Sequence, residues 1–179
     1  MTDRGRFISI EGVEGVGKST NIRYIESMLD SRNIEHVCTR EPGGTPLGEK
    51  LRELLLDRDD RSMGAMSELL LMFAARAQHV RDFIRPNLEA GRWVICDRFT
   101  DSSYAYQGGG RLMGSEIVAE LDELVLNGFH PDVTLILDLP VEQGLERANN
   151  RSEEDRFEME DASFFNRVRD VFLDLAAKD

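Results

Sequence analysis

The chain has 179 residues, a net charge of −12 and 41% hydrophobic residues, which suits one domain with its own core. So acidic a surface repels a polynucleotide backbone, and no basic stripe offsets it, so a nucleic-acid polymer is not an expected partner. No run of about 18 apolar residues is present to span a membrane, and the N-terminal residues carry no signal-peptide pattern, so the expected location is cytoplasmic.

The elements alternate along the chain. Residues 7–10 read as a short buried strand, followed by the run Gly12-Val13-Glu14-Gly15-Val16-Gly17-Lys18-Ser19 and a helix over 20–31 with apolar Ile22, Ile25 and Leu29. Residues 34–39 read as a second strand. Thr45 is then an N-cap and Pro46 a first helical residue, opening a helix to about Leu56. A charged loop over 57–61 precedes a long helix from about Ser67 to Ala90. Leu70, Phe73, Ala77, Val80 and Ile84 mark its face, Pro86 is expected to kink it, and Gly91 to end it. Residues 93–96 form a continuous apolar run, as expected of a strand covered on both faces. A helix over 115–126, a fourth strand over 133–137, a short helix over 141–148 and a last helix over 164–177 complete the order. This pattern predicts an α/β fold, a parallel β-sheet with helices on both faces, whose ligands bind at the strands' C-terminal ends. We read the whole of 1–179 as one domain. Cys38 and Cys96 both fall in strands, and with no CxxC or His pairing they suggest neither a disulfide framework nor a zinc site.

The glycine-rich run matches G-x-x-x-x-G-K-[ST], and strand, turn and helix follow in the order this phosphate-binding loop requires, which predicts a P-loop NTPase fold. Backbone N–H groups of residues 12–20 (Gly12, Val13, Glu14, Gly15, Val16, Gly17, Lys18, Ser19 and Thr20) would wrap the phosphates of a nucleoside triphosphate, ATP in the resemblance given below. Lys18 would reach the β/γ-phosphates, and the Ser19 hydroxyl would ligate Mg²⁺. Only three of the 22 basic residues are lysines. The other strand ends also carry charge. The second leads into Arg40-Glu41-Pro42-Gly43-Gly44-Thr45, the third into Asp97-Arg98-Phe99, and the fourth ends at Asp138. Asp97 and Asp138 both qualify by position to order a metal's shell, and Asp97 is preferred because Arg98 beside it could hold a second phosphate. No Asn-Lys pair exists for a guanine-specific N-K-x-D motif, which argues against a GTP-binding switch.

The chain resembles the thymidylate kinase family in its bacterial form. The residues that carry the likeness are Glu11 through Ser19, Arg40-Glu41-Pro42-Gly43-Gly44-Thr45-Pro46, Asp97-Arg98-Phe99, Ser103-Tyr104-Ala105-Tyr106-Gln107-Gly108-Gly109-Gly110-Arg111, Gly144-Leu145-Glu146-Arg147-Ala148 and Asp155-Arg156-Phe157-Glu158. The resemblance implies ATP-dependent, Mg²⁺-assisted phosphorylation of dTMP by direct in-line transfer. Glu14 would face the sugar, Arg98 would hold the acceptor phosphate with Arg52 as a second contact, and Glu41 would belong to the same acceptor site. Arg76 would read the thymine edge with Ser103 and Gln107. Relatives place a stacking Phe four residues before this arginine, where Met72 stands here; either Met72 or Phe73 would cover the base. Residues 147–158 would form a lid whose catalytic arginine is Arg147, Arg151 or Arg156, since positions 13–16 contain none. The family also implies a homodimer, for which the long helix from Ser67 is a candidate surface. It further implies a strand and helix beyond Asp179, so the sequence is either part of a longer protein, the preferred expectation, or natively short. A P-loop kinase for another deoxynucleotide or deoxynucleoside, or a non-catalytic nucleotide-binding protein, is the alternative reading. His36, His79 and His130 receive no role.

Overall fold

A computed structural model describes residues 4–59, 62–149 and 155–178. Four parallel strands, β1 (Phe7–Glu11), β2 (His36–Arg40), β3 (Trp93–Asp97) and β4 (Val133–Ile136), form one sheet in the order β2-β3-β1-β4. The expected parallel α/β sheet is therefore present. Its central strands show why the apolar runs fold this way. Alternate residues point to opposite faces, so Phe7, Val94 and Cys96 join Val80, Ile84, Leu88, Phe99 and Leu126 on one side. Ile10 and Ile95 join Ile25 and Leu29 on the other. The second strand is shifted towards Arg40 relative to the predicted 34–39. It lies at an edge, where Cys38 is exposed while Cys96 is buried.

Helices cover both faces. The first, α1 (Lys18–Asp30), begins at the lysine of the phosphate loop. Helix α2 (Pro46–Leu56) starts as predicted: Thr45 accepts a hydrogen bond from the Gly48 N–H at 3.0 Å, and Pro46 occupies the first turn, where a missing donor costs nothing. The long helix starts two residues earlier than expected, as α3 (Ala65–His79). It then widens into a π-helical interval (Val80–Ile84) and resumes as α4 (Arg85–Glu89). The interval lies just before Pro86, whose missing N–H and ring interrupt an α-helical ladder, so the proline is absorbed by a wider turn. Ala90 and Gly91 close the helix by donating to Pro86 O and Leu88 O.

Residues 100–110 were not anticipated as helical. They form a short helix α5 (Thr100–Ser103) and a π-helical segment (Tyr104–Gly110) that leads towards α6 (Ser115–Leu126). Three consecutive glycines disfavour a helix in isolation, but here tertiary contact decides. A Cβ on Gly110 would lie 2.5 Å from the Phe164 ring, so the missing side chain lets this segment lie directly against the last helix. The chain ends through α7 (Val141–Asn149) and α8 (Ala162–Ala176). The latter begins two residues before the predicted start, because Asp161 caps it by accepting from Phe164 N at 2.8 Å. Tyr106, Phe157, Phe164, Phe165, Val168 and Phe172 form a second core beside the sheet. At roughly 1.5–3 kcal/mol for each large side chain buried, this aromatic cluster fixes the 104–110 segment at the mouth of the sheet.

Candidate active site

The C-terminal ends of β1, β2 and β3 open into one cleft of about 280 Å³. Asp97 stands at its centre, in register with Ile10 on one side and Arg40 on the other. The loop after β1 turns through Gly12, Gly15 and Gly17 with φ of +130°, +69° and +100°. Gly15 is required twice over. Its φ is left-handed, and a Cβ there would lie 1.9 Å from Gly144 O on α7. No side chain caps α1, so the N–H groups of its first turn, where Lys18 and Ser19 line the cleft, are left to suit an anion.

Lys18 folds back over this loop, its Nζ donating to Gly12 O at 3.0 Å and Val13 O at 3.1 Å. Burial and the nearby Arg98 charge pull its pKa down to about 8, against the opposing pull of Asp97, Glu14 and Glu11. Glu14, Gly15, Gly17, Lys18 and Ser19 line the cleft; Gly12, Val13, Val16 and Thr20 do not. Val13 belongs to the aromatic core.

Arg98 adopts φ +72°, an uncommon conformation for a residue with a side chain. Buried Glu11 holds the turn: its carboxylate accepts from Phe99 N and from Ser102 Oγ, each at 2.6 Å. The Arg98 guanidinium donates to Gly12 O, Ser102 Oγ and Glu14 Oε1 at 3.0, 3.2 and 3.0 Å. Tyr106 donates to the same Glu14 carboxylate at 2.7 Å and lies beneath the arginine. Arg52 donates to Pro42 O at 2.9 Å and, with Arg40, brings further positive charge to the wall near Arg98. An acidic protein thus concentrates cations in one concave site.

The opposite wall comes from α3 and the 100–110 segment. Arg76, almost fully buried, donates through Nε to Glu41 at 2.7 Å, through Nη1 to Ser103 Oγ at 3.0 Å and through Nη2 to Phe99 O at 3.0 Å. Glu41 also pairs with His79, whose other ring nitrogen meets Thr39 Oγ1 at 2.7 Å. Met72 lines the cleft. Phe73, one position on and so about 100° round the helix, does not; it packs with Leu69 and Val118 beneath Arg76. The expected alternative of Phe73 covering a base therefore has no geometric support, because its ring faces the core. Glu41, Arg52, Arg76, Arg98, Ser103 and Gln107 all reach the cleft.

The arginines expected in the lid separate. Arg147 is exposed on α7 and does not line the cleft. Arg151 lies outside the described residues. Arg156 is turned inward, donating to Leu55 O at 2.9 Å and pairing with Glu68 at 2.8 Å, so its guanidinium is held in the interior and away from the cleft lining. Asp138, the second strand-end carboxylate, is engaged at the surface by Arg169 at 2.6 and 2.8 Å. Asp97 differs: its Oδ1 is buried without a hydrogen-bond partner. That free oxygen and the accessible Ser19 hydroxyl are hard ligands suited to Mg²⁺. Among the described residues no three His, Cys, Asp or Glu side chains gather to hold a metal unaided, so phosphate oxygens would supply the rest of its shell. Glu68 was not marked by the sequence, Glu11 and Tyr106 were marked only as part of the family likeness, and none of these or His79 received a role. A carboxylate ending an apolar strand at Glu11 is the one local signal that could have marked any of them.

A family model described as thymidylate kinase matches residues 10–179. The chain is 56% identical over 165 residues to the thymidylate kinase of Teredinibacter turnerae, covering 92% of this chain and 80% of that protein. It is 55% identical over 174 residues to that of Ectopseudomonas mendocina, covering 97% and 83%. The crystal structure of thymidylate kinase from Ehrlichia chaffeensis superposes with a TM-score of 0.75 at 36% identity, covering 98% of this chain and 86% of that one.

Proposed function

This chain belongs to the thymidylate kinase family, and from that premise we infer how its cleft carries out the family's reaction. The enzyme phosphorylates dTMP to dTDP at the expense of ATP. One observation carries the assignment of parts: the glycine-rich loop, Asp97 and Arg98, and a polar wall of Arg76, Ser103 and Gln107 all line a single cleft. In our reading ATP places its phosphates on residues 12–20, and Lys18 exchanges its two backbone carbonyls for the β/γ-phosphates. Ser19 and Asp97 would hold Mg²⁺, which would neutralise charge on the phosphate oxygens. Arg98, with Arg52, fixes the phosphate of dTMP so that its oxygen lies in line with the donor. The Glu14 carboxylate, already oriented by Tyr106, faces the sugar, while Arg76, Ser103 and Gln107 meet the base and Met72 covers it.

Phosphoryl transfer depends on positioning and on cations around the moving group more than on a base. Lys18 supplies one such cation from the cleft floor. Arg147 and Arg151 are proposed as the sources of another, with Arg156 kept for anchoring because Glu68 already engages it. We extend the proposal to a cytoplasmic homodimer. Exposed Leu54 on α2 and exposed Met66 and Leu70 on α3 supply apolar surface of the kind a second copy would cover, and no helix of the described residues is long and apolar enough to cross a membrane.

The test is a coupled assay in which ATP is consumed only when dTMP is present. In Arg98→Ala, KM for dTMP should rise about 10- to 100-fold, because a charge-assisted hydrogen bond contributes ~1.5–3 kcal/mol. KM for ATP should move far less. Equal increases for both nucleotides would place Arg98 on the donor side and remove the acceptor assignment.

A further inference from the structure

Glu68 lies on α3 with no exposed surface, yet it engages two arginines and an amide. Its Oε1 accepts from Gln107 Nε2 at 2.8 Å, its Oε2 from Arg156 Nη1 at 2.8 Å and from Arg111 Nη2 at 3.0 Å, and Arg111 Nε adds longer contacts at 3.2–3.3 Å. A carboxylate facing two guanidinium groups offers only acceptors. Gln107 must therefore present its NH₂ to Glu68, whichever way an amide might otherwise be drawn, and its carbonyl oxygen is the end left for the cleft it lines. Arg76 contributes the opposite character to the same wall. Three of its five N–H groups are taken by Glu41, Ser103 and Phe99, and the rest are donors. An acceptor beside a donor complements a pyrimidine edge with a donating N3–H next to a carbonyl. A cytosine edge, with an accepting N3 next to an amino group, is the reverse pattern.

We propose that Glu68 is a positioning residue that locks the Gln107 amide with its oxygen towards the cleft and thereby sets the preference for a base that donates at N3. The proposal rests on the reading that the Arg76–Gln107 wall receives the base of dTMP. Removing the lock frees the amide to turn. With Glu68→Gln, the new amide can keep its oxygen on the two guanidinium groups and turn its NH₂ towards Gln107, so the Gln107 NH₂ can face the cleft and the mismatch of cytosine at N3 is relieved, leaving only that at Arg76.

The experiment compares kcat/KM for dTMP and dCMP in wild type, Gln107→Leu and Glu68→Gln. Both variants should lower the dTMP:dCMP ratio by about tenfold or more, since a mispaired buried polar group governs such discrimination. A merely structural Glu68 would depress both acceptors by one factor and leave the ratio in place. An altered ratio in Gln107→Leu with an unaltered one in Glu68→Gln overturns the role of Glu68 while the base site stands. An unaltered ratio in Gln107→Leu overturns the base-site reading and the proposal with it. Should Glu68→Gln fail to fold, hydrogen exchange of the Gln107 side-chain amide in ligand-free wild type decides. Slowed exchange supports the lock, and exchange as fast as a free amide overturns it.

Discussion

Glu11→Gln separates the chemistry of the Arg98 turn from that of the rest of the cleft. Glu11 ends β1 with no exposed surface, accepts from Phe99 N and Ser102 Oγ, and has Asp101 and Arg98 among its charged neighbours. Burial, reinforced by Asp101, pushes its pKa up to about 7, against the pull of Ser102, Arg98 and the Phe99 N–H. An acid whose pKa is raised in the native state binds more protons folded than unfolded. Its contribution is fully present below the unfolded value near 4.5 and is lost as pH rises through about 7. Linkage over that window makes wild type about 2.5 kcal/mol less stable at pH 8 than at pH 5 from this group alone. Gln keeps an oxygen to accept from Phe99 N and does not titrate, so this pH-dependent term should vanish. Urea unfolding of both proteins from pH 5 to pH 8 checks the expectation, because titrating groups that do not interact with Glu11 cancel in the difference. The stability of Glu11→Gln relative to wild type should climb by about 2.5 kcal/mol across the range. Parallel profiles would mean that Glu11 ionises at its ordinary pKa in the folded protein, and the argument from burial would fail.

Gly15→Ala places a methyl 1.9 Å from Gly144 O at a φ of +69°, so backbone must move against backbone. We expect a loss of ~1–3 kcal/mol, seen as a Tm lower by ~2–10 °C, together with a raised KM for ATP; an unchanged Tm would show that α7 does not pack on the loop. Lys18, with its pKa pulled down to about 8, should regain a full charge when triphosphate oxygens surround it. ATP binding at about pH 8.5 should therefore take up protons, measured as a binding enthalpy that varies with the buffer's ionisation enthalpy. The uptake should vanish in Lys18→Met, and a buffer-independent enthalpy in wild type would refute the depressed pKa.

The parts of this protein that could be read from residue order are those whose causes are local. The glycine spacing before Lys18, the Thr45-Pro46 helix start, the stop at Gly91 and the apolar runs of β1 and β3 each depend on a few neighbours. Together they were enough for the sheet class and the phosphate loop. The 100–110 segment was invisible because its glycines oppose a helix until α8 packs against them. The roles of side chains in the cleft depended still more on distant partners. Phe73 and Met72 differ by one step along α3, yet that step separates the core from the cleft wall. His79, given no role from its position, proved to be a buried partner of Glu41. Arg156 was grouped with the catalytic candidates because it falls in the stretch that resembles the family's lid. It is instead drawn to Glu68 and to Leu55 O, 101 residues away in the chain. Composition and periodicity establish which residues are able to hold phosphate, metal or base. Which of them are already committed to one another is decided only when the fold brings buried charges within hydrogen-bond reach, because an unpaired charge in the interior costs too much to be left alone.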